Sequence, residues 1–223
     1  MRLRRSSDRR SWTTRPGASS ACTDAHWALT MATAAWLYDL LMKPLGWLGL
    51  DRLRERLVRN ARGRTLEIGA GTGLNLRYYD VGASPLIALD VDRDGLLRVR
   101  ARSTRAFLVQ GSVEALPFRD GAFDAVVSCL VFCSVPNPGA GLNEVHRVLN
   151  GSGELRLLEH VRPAGRFLGW LADRVTPMWR HVAGGCHLNR STVEALAAAE
   201  LCSTRSRRSL RGAVVEVRAA RCR

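Results

Sequence analysis

The run Leu66-Glu67-Ile68-Gly69-Ala70-Gly71-Thr72-Gly73 ends an apolar strand in an acid and three glycines at alternate positions. Glycine accepts positive φ and the close approach of another group, so such a turn leaves little side chain between backbone and ligand. The chain is thereby committed to a strand running into a tight loop, the local unit of an α/β fold. Spacing narrows the ligand. A dinucleotide fingerprint needs its third glycine at position 74, where this chain has Leu74, and no G-x-x-x-x-G-K-[ST] phosphate loop occurs. Taken alone, the glycines are also compatible with an ordinary strand-to-helix turn.

Other segments extend the pattern. After a helix-length interval, Pro85-Leu86-Ile87-Ala88-Leu89-Asp90 reads as a buried strand ending in an acid 21 positions beyond Gly69. In nucleoside-binding α/β folds a carboxylate about 20 residues past the glycine loop accepts from the ribose hydroxyls. Asp90 takes that role, whereas Asp92 and Asp94 suit a turn or helix start. Ala106 to Gln110 reads as a third strand, Phe123 to Ser128 as a fourth, Ala140 to Leu149 as a helix, and Gly153 to Glu159 as a fifth strand entered through the turn Asn150 to Gly153. Ser191-Thr192-Val193-Glu194 has capping-box spacing for a helix to Ala199, and Ala213 to Val217 suits a late edge strand. Such alternation predicts a parallel sheet with helices on both faces and a site beyond the carboxyl ends of its strands, where Gly69, Asp90, Ser112 and Cys129 converge.

The E-x-G-x-G-x-G pattern resembles motif I of the class I S-adenosylmethionine-dependent methyltransferases. Gly111-Ser112-Val113-Glu114-Ala115-Leu116-Pro117-Phe118 is similar to the G-D-A-E-x-L-P-F segment of the methyltransferase-domain group that includes the ubiquinone and menaquinone methyltransferases, where it borders the adenine. Ser112 stands where an aspartate often accepts from the adenine amino group; its hydroxyl still accepts but brings no charge, which predicts a weaker contact. The resemblance implies a Rossmann-like fold, with a mostly parallel seven-stranded sheet, helices on both faces and a late antiparallel strand. It implies S-adenosylmethionine as cofactor, bound by Glu67, Gly69, Ala70, Gly71, Gly73, Asp90, Val91, Ser112, Val113 and Cys129.

Three further stretches, Leu130 to Val135, Glu159-His160-Val161, and Pro177-Met178-Trp179 with Gly185 to Arg190, resemble the methyltransferase-like thiol S-methyltransferase branch. They imply an acceptor pocket for a small molecule, a thiol or another lipophilic group. Quinone-type C-methylation and phospholipid N-methylation stay open, because the shared segments describe the cofactor half of the site. Transfer from a sulfonium is an in-line displacement that requires no metal; it rests on positioning and desolvation, with a base where the acceptor must lose a proton. His160 is the candidate base, the alternative being a structural histidine at the end of strand five. His187 and Arg190 are candidates for an acidic group on the acceptor, or Arg190 for a surface carboxylate. Trp179 suits stacking on the acceptor or an apolar lid contact.

The net charge of +14 suggests nucleic acid, but its placement argues otherwise. Residues 1–25 carry six arginines against Asp8 and Asp24, and residues 202–223 carry seven against Glu216, so the body holds a small share of the excess. The chain also lacks the [DNS]-P-P-[YFW] segment of amino-methylating nucleic-acid enzymes, so an RNA methyltransferase is a secondary reading; a catalytically silent cofactor-binding protein is a third. Residues 1–25 are expected to be a disordered tail. Residues 26–60 form an N-terminal helical lid or interfacial segment, with residues 27–50 offering peripheral membrane contact. Residues 61–223 form the catalytic domain. Arg9-Arg10 precedes no apolar stretch and predicts no secretion signal, and Met31 is an alternative start. Cys22, Cys129, Cys133, Cys186, Cys202 and Cys222 contain no C-x-x-C pair, so reduced thiols in a cytoplasmic protein and no metal site are expected.

Overall fold

The computed structural model describes residues 49–102, 105–163, 165–182 and 185–222. The tail 1–25 and residues 26–48, with the lid or interfacial reading they carry, lie outside the described residues. What is described of the 26–60 segment includes helix α1 (Asp51–Val58), which packs on the body through Leu53, Leu57 and Val58. Arg156 donates to the carbonyls of Leu57 and Asn60, each at 2.9 Å, and so satisfies oxygens left over where α1 ends.

Seven strands form one sheet: β1 (Gly63–Ile68), β2 (Ala83–Asp90), β3 (Ala106–Gln110), β4 (Phe123–Cys129), β5 (Leu149–His160), β6 (Leu201–Ser209) and β7 (Val214–Arg221). Their order is β3-β2-β1-β4-β5-β7-β6. The first five strands are mutually parallel, and β7 runs antiparallel to both β5 and β6. This is the mostly parallel sheet with a late antiparallel strand that the resemblance implies.

Central parallel strands are covered on both faces and therefore read as nearly unbroken apolar runs. Leu66, Ile68, Val126, Leu155 and Leu157 pack on one side with Leu142, Val145 and Val148 of α3 (Pro138–Val148). Leu196 of α5 (Thr192–Ala198) joins that side. Ala125, Val127 and Leu158 pack on the other side, with α1 and with Val99 of α2 (Arg93–Arg102). The remaining helix, α4 (Arg166–Val182), precedes the loop that carries Cys186. Among the described residues no helix is long and apolar enough to cross a membrane.

Several sequence expectations change. The interval after the glycine loop holds one 3-10 turn, Leu76–Tyr78, in place of a regular helix. The late strand lies inside the sheet between β5 and β7's other neighbour, β6, which is the true edge. Arg205, Arg207 and Arg208 are exposed on that edge, where charge discourages the addition of a further strand. The turn at Asn150 is an irregularity within β5, with Asn150 Oδ1 accepting from Ser152 N at 2.9 Å. Ser191 makes no side-chain cap on α5, whereas Asn137 caps α3 by accepting from Ala140 N. The expectation of uniformly reduced thiols also fails, because Cys202 and Cys222 form a disulfide joining the start of β6 to the residue after β7. Cys129, Cys133 and Cys186 are free and buried, and Cys22 lies outside the described residues.

Candidate functional site

The three loop glycines have positive φ but serve different neighbours. A Cβ on Gly69 would meet Val131 Cγ2 at 2.3 Å, and one on Gly73 would meet Val99 Cγ2 at 3.0 Å, so both make room for protein. At Gly71 a Cβ would meet nothing within 4 Å, which makes this the loop glycine that faces open space. Gly95, at the start of α2, packs against the Gly71 carbonyl, where a Cβ would come within 2.8 Å; the motif gave no hint of this contact.

Asp90, at the end of β2, holds the loop from the side. Its Oδ2 accepts from Gly71 N at 2.7 Å and its Oδ1 from Asp92 N at 2.8 Å. Burial raises its pKa, and the amide donors oppose that rise. Asp92 accepts from Asp94 N at 3.0 Å, the local turn role expected of it. Val91 is steadied by Gln110 Nε2, which donates to its carbonyl at 3.1 Å. Ser112 Oγ accepts from Glu114 N at 3.1 Å, Val113 packs into the core, and burial pushes the Cys129 thiol up to about 11.

Glu67 holds the loop from beneath. It is fully buried with no surface open to a ligand, and its Oε1 accepts from Asn75 Nδ2 at 2.9 Å. Asn75 in turn accepts from Arg54 at 3.3 Å. Burial raises the Glu67 pKa from 4.5 to about 7, against the lowering effects of Asn75, Tyr79 and Arg54. The folded protein therefore holds a proton that the unfolded chain releases between about pH 4.5 and pH 7. The associated stability is complete below that window, falls as pH rises through it, and is level above it, a loss on the order of 3 kcal/mol. Glu67→Gln cannot ionise and should match wild type near pH 4.5 in urea denaturation, then exceed it at pH 8 by up to about 3 kcal/mol. Identical pH slopes for the two proteins would show that Glu67 stays ionised.

A second loop follows β4. Leu130 there adopts φ 60°, a left-handed conformation uncommon for a bulky residue. The following turn is fastened by Glu159: Oε1 accepts from Val131 N and Phe132 N at 2.8 Å each, and Oε2 from Cys133 N at 3.0 Å. The sequence placed Glu159 in a recurring segment without a role. Burial raises its pKa, with the three amides working in the opposite direction.

Cys133, His160 and Cys186 meet beside this turn. Cys186 Sγ lies 3.4 Å from Cys133 Sγ and 3.3 Å from His160 Nδ1. Despite burial, the hydrogen bond from Cys133 and the pairing with His160 bring the Cys186 thiol down to about 5, while Cys133 stays protonated. Burial lowers the His160 pKa, but its hydrogen bond to Cys186 and the thiolate's charge outweigh that and raise it. The two groups thus share a proton, with the shift of the thiol favouring its release toward the imidazole. Trp179 lies within α4, and its indole N–H is buried without a hydrogen-bond partner.

His187 and Arg190 are likewise engaged with protein. His187 N and Nδ1 approach the Cys133 carbonyl at 2.9 and 3.0 Å, and Arg190 Nη1 donates to the carbonyls of Phe132 and Val135 at 2.6 Å each. Arg190 therefore clamps the Cys186 loop to the turn after β4; neither an acidic acceptor nor a surface carboxylate is its partner here.

Over residues 66–157 the sequence matches the family described as the methyltransferase domain. These residues are similar to a methyltransferase domain. The match covers the glycine loop, Asp90, Ser112 and the turn after β4, but stops within β5. The human thiol S-methyltransferase TMT1B is 34% identical over 135 residues, spanning 57% of this chain and 55% of that protein. The ubiquinone/menaquinone biosynthesis C-methyltransferase UbiE of Geobacter is 32% identical over 140 residues, spanning 56% and 59%. The chain thus spans little more than half the length of these relatives. Among solved structures, an S-adenosylmethionine-dependent methyltransferase of Thermotoga maritima superposes with TM-score 0.67 at 19% identity, over 87% of this chain and 99% of that one. The [4+2]-cyclase SpnF superposes with TM-score 0.64 at 18% identity, over 77% and 80%. The chain therefore shares its fold with a protein named for another reaction, and chemistry has to be argued from the site.

Proposed function

We propose that this protein transfers a methyl group from S-adenosylmethionine to a small-molecule acceptor, with a thiol as the favoured acceptor class. The observation that carries the proposal is the Asp90-tethered glycine loop, whose Gly71 faces open space at the carboxyl end of β1, one strand away from the β4 loop that meets Cys186 and His160. These residues fit the cofactor: Gly71 presents bare backbone, Asp90 offers carboxylate oxygens for ribose hydroxyls, and Ser112 offers an uncharged acceptor near the adenine. When bound, S-adenosylmethionine supplies an electrophilic methyl group on a sulfonium.

The chain's own contribution is alignment, exclusion of water and one proton. A thiol acceptor has an ordinary pKa near 8.5 and is partly ionised already, so it needs little more than a dry, aligned pocket and a proton acceptor nearby. His160, paired with Cys186, is the candidate acceptor for that proton. The likeness to TMT1B supports the thiol reading, and the likeness to UbiE supports a quinone-type acceptor as the second.

S-adenosylhomocysteine production by the purified protein, with and without a small lipophilic thiol, tests this directly. A thiol-dependent rise is expected. His160→Ala should reduce it by about 10²-fold or more and shift its pH profile, with cofactor affinity changed less than about threefold. Production that rises with a quinol and stays flat with thiols would replace the thiol reading with C-methylation. No product with any acceptor, although the cofactor binds, would leave a catalytically silent binding protein.

A further inference from the structure

The methyl transfer proposed above assigns nothing to Cys133, yet its sulfur completes a group of three donor atoms. Cys133 Sγ, His160 Nδ1 and Cys186 Sγ all lie within 4.8 Å of one another, with separations of 3.4, 3.3 and 4.0 Å. A tetrahedral zinc ion bonded at about 2.3 Å to sulfur and about 2.0 Å to nitrogen spaces its ligands about 3.5 to 3.8 Å apart. Each observed separation lies within about half an ångström of that spacing, so a cation needs only small side-chain adjustments. Two sulfurs and an imidazole favour a soft or borderline cation over magnesium or calcium, which prefer oxygen.

The donors come from separate segments held in place independently of any ion. Glu159 fixes the Cys133 amide at 3.0 Å, His160 ends β5, and the Cys186 loop is tied to the Cys133 turn through His187 and Arg190. Such outer contacts orient ligands and sustain metal affinity. Sequence spacing conceals the group, because its members lie 26 and 27 residues apart and form no paired-cysteine motif.

We propose that Cys133, His160 and Cys186 bind one zinc-class divalent cation and leave its fourth coordination position open. Three protein ligands with an exchangeable fourth position are typical of catalytic zinc centres. The site rests on these three atoms and stands whether or not a thiol is the acceptor. If a thiol is, it would enter the open position as a thiolate with its proton released to solvent, a route that would replace the His160–Cys186 one and that rests on the thiol reading above.

The test is cobalt(II) titration of the full chain after gentle reduction and removal of metal by a chelator. One equivalent should produce thiolate-to-cobalt charge-transfer absorption that zinc(II) displaces, and zinc should raise the melting temperature of wild type. Cys133→Ser and Cys186→Ser should each weaken cobalt binding by at least about tenfold, while Cys129→Ala keeps the absorption, since its thiol lies outside the group. Wild-type protein that gains no such absorption would overturn the site. So would absorption that survives in the Cys133→Ser/Cys186→Ser double variant, or a Cys133–Cys186 disulfide whose reduction yields no uptake of cobalt. None of these readouts requires methyl transfer, so the site and the thiol reading fail separately.

Discussion

Glu159→Ala should destabilise the protein by about 3–5 kcal/mol, the range seen when one partner of a buried charged network is removed. The size follows from what the carboxylate satisfies. Three successive amides, Val131, Phe132 and Cys133, donate to it, and Ser128 Oγ lies 3.4 Å from the same Oε1. An unsatisfied buried donor costs about 1–3 kcal/mol, and alanine would strand several in a turn that already holds Leu130 in a left-handed conformation. Glu159→Gln keeps one oxygen for two of the amides but opposes its own N–H groups to the third, so about half of the loss should remain. Urea denaturation reads both values. A loss below about 1 kcal/mol for alanine would mean that the turn finds other acceptors or water.

Asp90→Ala should weaken S-adenosylmethionine binding by about 100-fold in a calorimetric titration. Two effects add: the ribose loses a charged acceptor, and Gly71, whose amide is 2.7 Å from Asp90 Oδ2, loses its tether. Hydrogen bonds to charged groups contribute about 1.5–3 kcal/mol each, which brackets the expected factor. Asp90→Asn retains an oxygen without the charge and should cost about tenfold. Asp92→Ala removes a helix-start contact from the same turn and should change affinity by less than about threefold, at about 1 kcal/mol of stability. Affinity unchanged in Asp90→Ala would mean that another group receives the ribose.

The central parallel strands were legible because burial on both faces demands continuous apolar runs, as Leu86 to Leu89 and Ala125 to Val127 illustrate. β6 was illegible for the opposite reason. Cys202 to Arg208 are exposed, so nothing in Arg205, Ser206, Arg207 and Arg208 shows the alternation that marks a half-buried strand. Glycine and acid at fixed spacing announced the ligand loop, but not the division of labour within it. Only neighbours distant in sequence, Val131 and Val99, distinguish Gly69 and Gly73 from Gly71. Glu67 carried the same signal whether it faced a ligand or supported the loop from below, and burial decides between them. The Cys133, His160 and Cys186 group arises from topology: parallel β4 and β5 deliver two members to one end of the sheet, and the clamp at Arg190 brings in the third.

The contact between Arg156 and the end of α1 crosses the boundary of the family match. The matched span, residues 66–157, includes the Arg156 guanidinium but neither carbonyl that receives it, and it contains β5 without β7, which pairs with β5 from Glu154 to His160. Cut out, that span would expose an apolar sheet face and an unpaired strand, and would leave Arg156 with Glu154 but without its two carbonyl acceptors. The family match is recorded in the part of the chain that carries the glycine loop, whereas the sheet reaches outward on both sides of it and is closed by β7 and held by the end of α1.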